Sequence, residues 1–596
     1  QMLMVGLGGV FVEVLKDVSF RLCPINREDA HSMLNELRGA ALLDGARGTS
    51  AVDRVALVEL LLRVGGEDGL LTRYADRIAE LDLNPVIARG QTLCAVDARV
   101  LLRAPTSDHA STAAGVASDP SSFDPLFTPR SVAVVGASSS DVTMANSFIK
   151  RMQAFGYAGD LYAIHPKAEQ IEGVPCHPTL DSTPQPVDYA YVCIGAARVP
   201  SLLRAAHGRV RIAQVVSSGF GEVEAGVELE RELVAAAREG GCRVIGPNCL
   251  GAYSPRGGLT FAADAPRETG RIGILAQSGG LSTDVIKRGQ WRGLRFSGVV
   301  TVGNCADVQL SELLAWYLND EQTAVIGLYI EDARDGRALF ELLRHSQHGK
   351  PVVILKGGRT DQGRQAAASH TGALAGDHRA WEALCQQTGC VMVDTIDDFI
   401  DVLHALEHLR LRPRTPTREV VLFGNGGGTS VLATDQFARL GLDVKPFGGT
   451  ARAQLDALAL PPGTSLANPI DTPVRTLQEE HGFVAKRILD IVYAHSTPQA
   501  VLMHLNLASF VGRGPVDPLD NLLEVIRQVQ DEHRGVAHFT LALRSDGSPQ
   551  LDESKRRYRQ RAIELGIPVF DEIDNAALAL AAVARLEQRM ASLPDA

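Results

Sequence analysis

The chain has 596 residues, 45% apolar and 22% charged, with a net charge of −11 and a pI of about 5.8. That is an ordinary soluble balance for about four domains, and interspersed charges with no basic face exclude nucleic acid as the expected partner. Nine cysteines without a CxxC pair exclude a disulfide framework or zinc site and lead us to expect the reducing cytoplasm; no apolar run reaches the ~18 residues of a membrane helix, so no membrane partner is expected.

The opening Met2-Leu3-Met4-Val5-Gly6-Leu7-Gly8-Gly9-Val10 is apolar, lacks a basic leader and runs into Glu13, which is not the pattern of a signal peptide. Residue 1 is glutamine and the chain begins inside a strand-like run, which predicts that an N-terminal portion is missing. Residues 1–104 form a first unit. A strand-like Val10–Leu15 is followed by Phe20-Arg21-Leu22, helical patterns over Arg27–Leu37 and Val52–Val64, and a hairpin closing on Ala95–Arg99. Asp82, Asn84 and Asp97 are oxygen ligands on adjacent strand segments, a set that suits Mg²⁺ shared with nucleotide phosphates or, equally from spacing, exposed surface carboxylates. Residues 105–124, rich in Ser, Ala, Thr, Pro and Asp, read as a linker.

From residue 125 the pattern changes to buried strands alternating with helices, the signature of a doubly wound parallel sheet. In the unit 125–255, Ser131–Val135 feeds a small-residue turn, Gly136-Ala137-Ser138, where backbone N–H groups can meet phosphate although the glycines do not make a full dinucleotide fingerprint. Lys167 follows the second strand, where it reads either as a partner for a ribose phosphate or as a solvated lysine. In the unit 256–412 the strand Arg271–Ala276 ends in Gln277-Ser278-Gly279-Gly280 and a helix; Val325–Ile330 ends at Glu331; and Pro351–Gly358 leads to a loop, Ala-Ala-Ala-Ser369-His370-Thr-Gly-Ala-Leu-Ala-Gly. The unit 413–596 repeats the plan, with Val420–Gly424 running into Gly426-Gly427-Gly428-Thr429. A lone loop histidine is either without a role or, as neutral imidazole, a nucleophile able to carry a phosphoryl group. Two helix N-termini, at Ser278–Gly280 and Gly427–Thr429, offer the partial positive charge such a group needs, and Glu331 at a strand end can orient the imidazole.

These motifs together resemble the nucleoside-diphosphate-forming acyl-CoA synthetases, the superfamily of succinyl-CoA synthetase and ADP-forming acetate–CoA ligases. The His370 segment resembles the family's phosphohistidine loop, Tyr329-Ile330-Glu331 its histidine-orienting glutamate, and the two glycine turns its phosphate-facing helix starts. Ser131–Ser138, Pro166-Lys167, Ser217-Ser218-Gly219-Phe220 and Gly246–Gly251 resemble its CoA-binding domain, and residues 1–104 the second, metal-binding half of its ATP-grasp domain. The resemblance implies an α/β chain: half an ATP-grasp domain, a Rossmann-like CoA-binding domain and two flavodoxin-like domains. It implies that His370 is the nucleophile, oriented by Glu331 and Asp82; that Asn84 and Asp97 hold Mg²⁺; and that CoA lies along Gly136, Ala137, Ser138, Lys167, Ile194, Ser217, Ser218, Gly219 and Asn248. The implied reaction joins a carboxylic acid to CoA, converting ATP to ADP and phosphate through phosphohistidine and acyl phosphate, and a homo-oligomer is expected.

Three departures qualify the resemblance. The half of an ATP-grasp domain that covers adenine and supplies a phosphate-gripping lysine is not matched, so we expect a truncated chain or a separate polypeptide carrying that half, and no labelling of this chain by ATP. The domain order differs from relatives that place the CoA domain first, and position 165 is His where relatives usually carry Asn. Two alternatives stand beside the ligase: a CoA- or acyl-CoA-binding regulatory module, and a lyase or transferase using CoA ligation as one step.

Overall fold

The structure is a computed structural model describing residues 1–8, 16–45, 50–89, 92–103, 119–346, 349–371, 377–510 and 518–592, except for the side chains of residues 368–371, 478, 481 and 518. Three parallel-stranded sheets dominate. The first follows the order expected of a doubly wound fold: Val174–His177, Asp160–Ile164, Ser131–Val135, Val187–Val192, Val210–Val215 and Arg243–Ile245 lie side by side, with a two-residue strand, Gln170–Ile171, on the edge. In chain order this is 3-2-1-4-5-6, which places a crevice at the carboxyl ends of Ser131–Val135 and Val187–Val192, where the strand order reverses.

The second and third sheets share the flavodoxin order 2-1-3-4-5. In the second the order is Phe296–Thr301, Thr269–Ala276, Val325–Ile330, Val352–Lys356 and Val391–Val393, with Ala252–Tyr253 added antiparallel on the edge. In the third it is Ile470–Asp471, Val420–Gly424, Ala500–Asn506, His538–Arg544 and Val569–Phe570. The central strands are largely buried, and wholly so at Val187–Val192 and Val352–Lys356, because helices cover both faces.

The long C-terminal helix Ile573–Ser592 joins the two flavodoxin-like sheets. Its alanine-rich face packs into one core with helix Ile396–His408 of the second sheet. Glu587, fully buried, accepts hydrogen bonds from His538 Nε2 at 2.7 Å and from the N–H groups of Arg412 and Thr417, each at 2.8 Å.

The first unit is docked on the second sheet's layer. Gln387 Oε1 accepts the N–H of Leu22 at 2.7 Å and its Nε2 donates to Leu22 O at 3.0 Å, so a side-chain amide pairs with the strand Val18–Leu22 as a neighbouring strand would. Arg21, 2% exposed, pairs with Glu36 and donates to Gln386 Oε1 at 2.7 Å. The expected strand Val10–Leu15 lies entirely outside the described residues.

Two expectations are corrected. The end of the expected linker is folded: Pro120–Phe123 and Asp124–Phe127 are helical, Phe123 is 1% exposed, and Asp124 accepts a hydrogen bond from Trp316 Nε1 at 2.8 Å. The His370 segment is not a loop up to that residue, because the helix Asp361–Thr371 includes its backbone. Alanine is the best helix former, and Ala366-Ala367-Ala368 extends the helix rather than opening it. The side chain of His370, and residues 372–376, lie outside the described residues.

Candidate active site

The expected CoA-contacting residues all follow carboxyl ends of the first sheet, on one edge of it. Gly136 adopts φ +103° at the crevice, and a Cβ there would lie 2.2 Å from Cys193 O, so only glycine lets the first strand approach the chain before Ile194. Ala137 is buried, and Ser138 donates its N–H to Asn146 Oδ1 at 2.9 Å. Lys167 is exposed, on a turn shaped by His165: Nδ1 of His165 accepts the N–H of Lys167 at 3.3 Å and of Ala168 at 2.9 Å. An asparagine Oδ1 would serve the same two donors, which gives the histidine at 165 a physical account.

Ser217 and Ser218 precede Gly219, whose N–H points at Glu222; the same carboxylate accepts the Phe220 N–H at 3.2 Å. Burial pushes the Glu222 carboxyl up, but hydrogen bonds from Asn304 and Gly219 outweigh it and hold the group below its usual range. Asn304 Nδ2 donates to Glu222 at 2.6 Å and Glu230 at 2.9 Å, and Glu230 pairs with Arg334 at 2.8 Å. Asn248, at φ +58°, donates to Asn304 Oδ1 at 3.4 Å. The edge of the CoA-type sheet thus meets the second sheet through the loop Gly246–Gly251.

That loop also reaches the first glycine turn, since a Cβ on Gly279 would lie 2.4 Å from Leu250 Cγ, whereas Gly280 faces open space. Ser278 caps the helix Gly279–Trp291 by accepting the Leu281 N–H at 3.3 Å. Gln277 joins this turn to Glu331, accepting the Glu331 N–H at 2.5 Å. Glu331 is 5% exposed, and its Oε1 accepts a hydrogen bond from Tyr329 OH at 2.9 Å. Burial first, and the Glu331 carboxylate second, raise the Tyr329 phenol well above its usual value, so this hydroxyl remains a donor. Glu331 and the first helix start therefore share the switch point of their sheet, the position where ligands bind in open α/β folds.

The second glycine turn lies at the corresponding point of the third sheet. Asp471 Oδ1 accepts the Gly426 N–H at 2.8 Å, and a Cβ on Gly427 would lie 2.8 Å from Asp471 Oδ2. Gly428 faces open space, and Thr429 Oγ1 accepts from Arg544 at 3.1 Å. Beneath them Ser430 Oγ and His504 Nε2 lie 3.0 Å apart. The sequence pattern carries no sign of Gln277 as a link to Glu331 or of Asp471; each acts on a residue tens of positions away.

Asp82, Asn84 and Asp97 are exposed where the strands Ile78–Leu83 and Ala98–Leu102 pair. The Asn84 N–H donates to Asp97 O at 3.3 Å, which brings the two side chains to the same end of the hairpin. An all-oxygen donor set open to water fits a hard cation such as Mg²⁺. Two other clusters among the described residues do not fit a metal. His404 Nε2 already accepts the Val569 N–H at 3.2 Å, so Nδ1 must carry the proton and neither nitrogen is free to ligate. At Asp490, Glu532 and His533 the Lys486 ammonium is the cation, 2.9 Å from Asp490 and 2.6 Å from Glu532.

Comparison with known proteins agrees with this architecture. Residues 1–102 match an ATP-grasp domain family, 130–255 a CoA binding domain family, and 269–406 the succinyl-CoA ligase like flavodoxin domain. The chain is 34% identical over 484 residues to acetate–CoA ligase [ADP-forming] II of Archaeoglobus fulgidus, covering 78% of this chain and 68% of that protein. The corresponding Pyrococcus furiosus enzyme is divided: its alpha subunit is 27% identical over 77% of this chain and 96% of its own length, and its beta subunit 45% identical over 17% and 42%. Among solved structures, dinucleotide forming acetyl-coenzyme A synthetase 1 of Ca. Korarchaeum cryptofilum, in complex with phosphate and ADP, superposes with a TM-score of 0.68 at 26% identity, covering 79% of this chain and 99% of that one. The chain belongs to the ADP-forming acetate–CoA ligase family of nucleoside-diphosphate-forming acyl-CoA synthetases.

Proposed function

We propose that the protein joins a carboxylic acid to CoA, converting ATP to ADP and phosphate. An imidazole nitrogen of His370 takes the terminal phosphoryl group of ATP, and ADP leaves. The acid's carboxylate oxygen attacks that phosphorus, the P–N bond breaks, and acyl phosphate forms with His370 restored. The CoA thiolate then attacks the acyl carbon, and the C–O bond to phosphate breaks to give acyl-CoA. Glu331 orients the imidazole at the acyl site and Asp82 at the nucleotide site. Ser278, Gly279, Gly280, Gly427, Gly428 and Thr429 supply helix-start N–H groups to phosphoryl oxygens, an electrostatic contribution made without rearrangement. CoA lies along Gly136–Ser138, Lys167, Ile194, Ser217–Gly219 and Asn248. Asn84 and Asp97 would hold Mg²⁺, which when bound screens charge on the nucleotide phosphates.

The observation that carries this reading is the joining of Glu331 to the first glycine helix start at a switch point. We assign the ATP-grasp part to 1–104, the linker to 105–124, CoA binding to 125–255 and the two ligase domains to 256–412 and 413–596. We place the enzyme in the cytoplasm, in keeping with nine free cysteines, and expect a homo-oligomer, which light scattering will measure.

The test runs the reaction backwards, which needs no nucleotide. With acetyl-CoA and radiolabelled inorganic phosphate, phosphate displaces CoA and the acyl phosphate then transfers its phosphoryl group to His370. The expected label is acid-labile, base-stable and lost in His370→Asn. Label that survives this substitution overturns the mechanism.

A further inference from the structure

The peptide of Glu331 is held on both sides by side chains to which the reaction above gives no role. On the amino side, Gln277 Oε1 accepts the N–H groups of Glu331 at 2.5 Å and of Asp332 at 3.0 Å, while its Nε2 donates to Asp332 O at 2.7 Å. On the carbonyl side, Lys356 Nζ donates to Glu331 O at 2.8 Å and to the carbonyl of Gly357. Gln277 ends the first strand of the sheet and Lys356 ends the fourth, so the strand between them is gripped from its two flanks.

Lys356 is unusual for its surroundings. It is 4% exposed, its ammonium bonds to two carbonyl oxygens, and it lies 5.7 Å over the Trp381 ring. Burying an ammonium is costly, and an apolar residue of the same length would fill the space at lower cost. The charged and titratable groups around it are Glu331 and Asp332 after its neighbouring strand, Arg364 on the helix that carries His370, and His378 on the following helix.

We propose that Lys356 and Gln277 are positioning residues that fix the Glu331 backbone, so that its carboxylate meets the phosphohistidine in one orientation. The inference rests on the role of Glu331 proposed above. Its geometry accounts for why an amide and an ammonium are used: the N–H groups need an acceptor and the C=O groups need donors, and the two side chains meet those needs at the same turn. Burial also lowers the Lys356 ammonium to about 8, so it loses its proton just above neutral pH and the carbonyl grip loosens there.

The experiment measures His370 labelling from acetyl-CoA and radiolabelled phosphate, with steady-state acyl-CoA formation wherever turnover is supported, on wild type, Lys356→Met, Lys356→Arg, Gln277→Glu and Glu331→Gln. Lys356→Met is expected to slow labelling about 10²-fold, as misplacement of a catalytic group does, with the KM for acetyl-CoA within about twofold of wild type. Wild type is expected to show an alkaline decline centred near pH 8, absent from Lys356→Arg. If Lys356→Met does not fold, Gln277→Glu carries the test: it keeps both acceptor contacts, loses the donor to Asp332 O, and is expected to slow labelling in the same way. Labelling unchanged in Lys356→Met or in a folded Gln277→Glu, or an alkaline decline that persists in Lys356→Arg, overturns the inference while a slow Glu331→Gln keeps the functional reading. Glu331→Gln at the wild-type rate overturns the role of Glu331 itself, and the inference with it.

Discussion

Asn425 and Asn506 stand to each other as Gln277 and Glu331 do. Asn425 Oδ1 accepts the Asn506 N–H at 2.9 Å, and the Asn425 N–H donates to His504 O at 3.4 Å; Gln277 accepts from Glu331 and donates its own N–H to Tyr329 O at 3.1 Å. The two flavodoxin-like sheets thus repeat strand order, glycine turn and the amide that bridges strands 1 and 3. Asn506 occupies in the third sheet the position of Glu331, a neutral amide where the second sheet has a carboxylate.

The bridge differs in strength between the repeats. Gln277→Ala leaves two N–H groups and one C=O without their partner, and at about 1 kcal/mol for each lost hydrogen bond it should destabilise the protein by about 3 kcal/mol. Asn425→Ala removes one such bond at the Asn506 N–H and should cost about 1 kcal/mol. Urea unfolding of the two variants is expected to rank them in that order.

The strands and glycine turns were legible in the sequence because buried parallel strands are continuous apolar runs and helix starts are marked by glycine. The His370 segment reads as a loop because small residues serve loops and helices alike, whereas in the fold its alanines favour the helix. Phe123 reads as part of a polar linker because what buries it comes from far along the chain: its turn packs on the helix Leu310–Asn319, nearly 200 positions away, and Arg243 lies over its ring. The bridge from Gln277 to Glu331 spans 54 residues and leaves no local periodicity. Spacing along a chain reports helices and strands; it does not report which strand end a side chain will reach.

Glu587 anchors the C-terminal helix. With no exposure and three recorded donors from His538, Arg412 and Thr417, its removal leaves buried donors unpaired. Burial pushes this carboxyl up, but His538 and the Thr417 donors hold it below its usual range. Glu587→Ala is expected to cost about 3–5 kcal/mol, as loss of one partner in a buried ion pair does. Differential scanning calorimetry should register it as a lower Tm for the transition that releases the third sheet.

His504 makes stability depend on acid. It is fully buried with Nε2 beside Ser430, and burial first, then Arg544, lower its imidazole to about 4. The folded protein therefore binds this proton less tightly than the unfolded chain. The stabilising contribution is complete above about pH 6.5 and is lost as pH falls toward 4, a difference of about 3 kcal/mol. Unfolding free energies measured from pH 7 to 4 should fall less steeply in His504→Gln than in wild type. Parallel slopes would show that His504 does not titrate in this way.

Gly136 provides the most direct test of the proposed CoA edge. A Cβ there meets Cys193 O at 2.2 Å on a backbone at φ +103°, so alanine is opposed by both contact and conformation. The collision falls between Ser131–Val135 and Val187–Val192, the two strands whose separation forms the crevice. Gly173 separates the two causes: it has φ +75° and nothing within 4 Å of its Cβ position. Both substitutions should cost stability through backbone strain, but only Gly136→Ala displaces the crevice wall. Isothermal titration calorimetry is expected to show the Kd for CoA raised about tenfold or more in Gly136→Ala, equivalent to about 1.4 kcal/mol, and unchanged in Gly173→Ala. Equal CoA affinity in the two variants would move the binding edge away from Gly136.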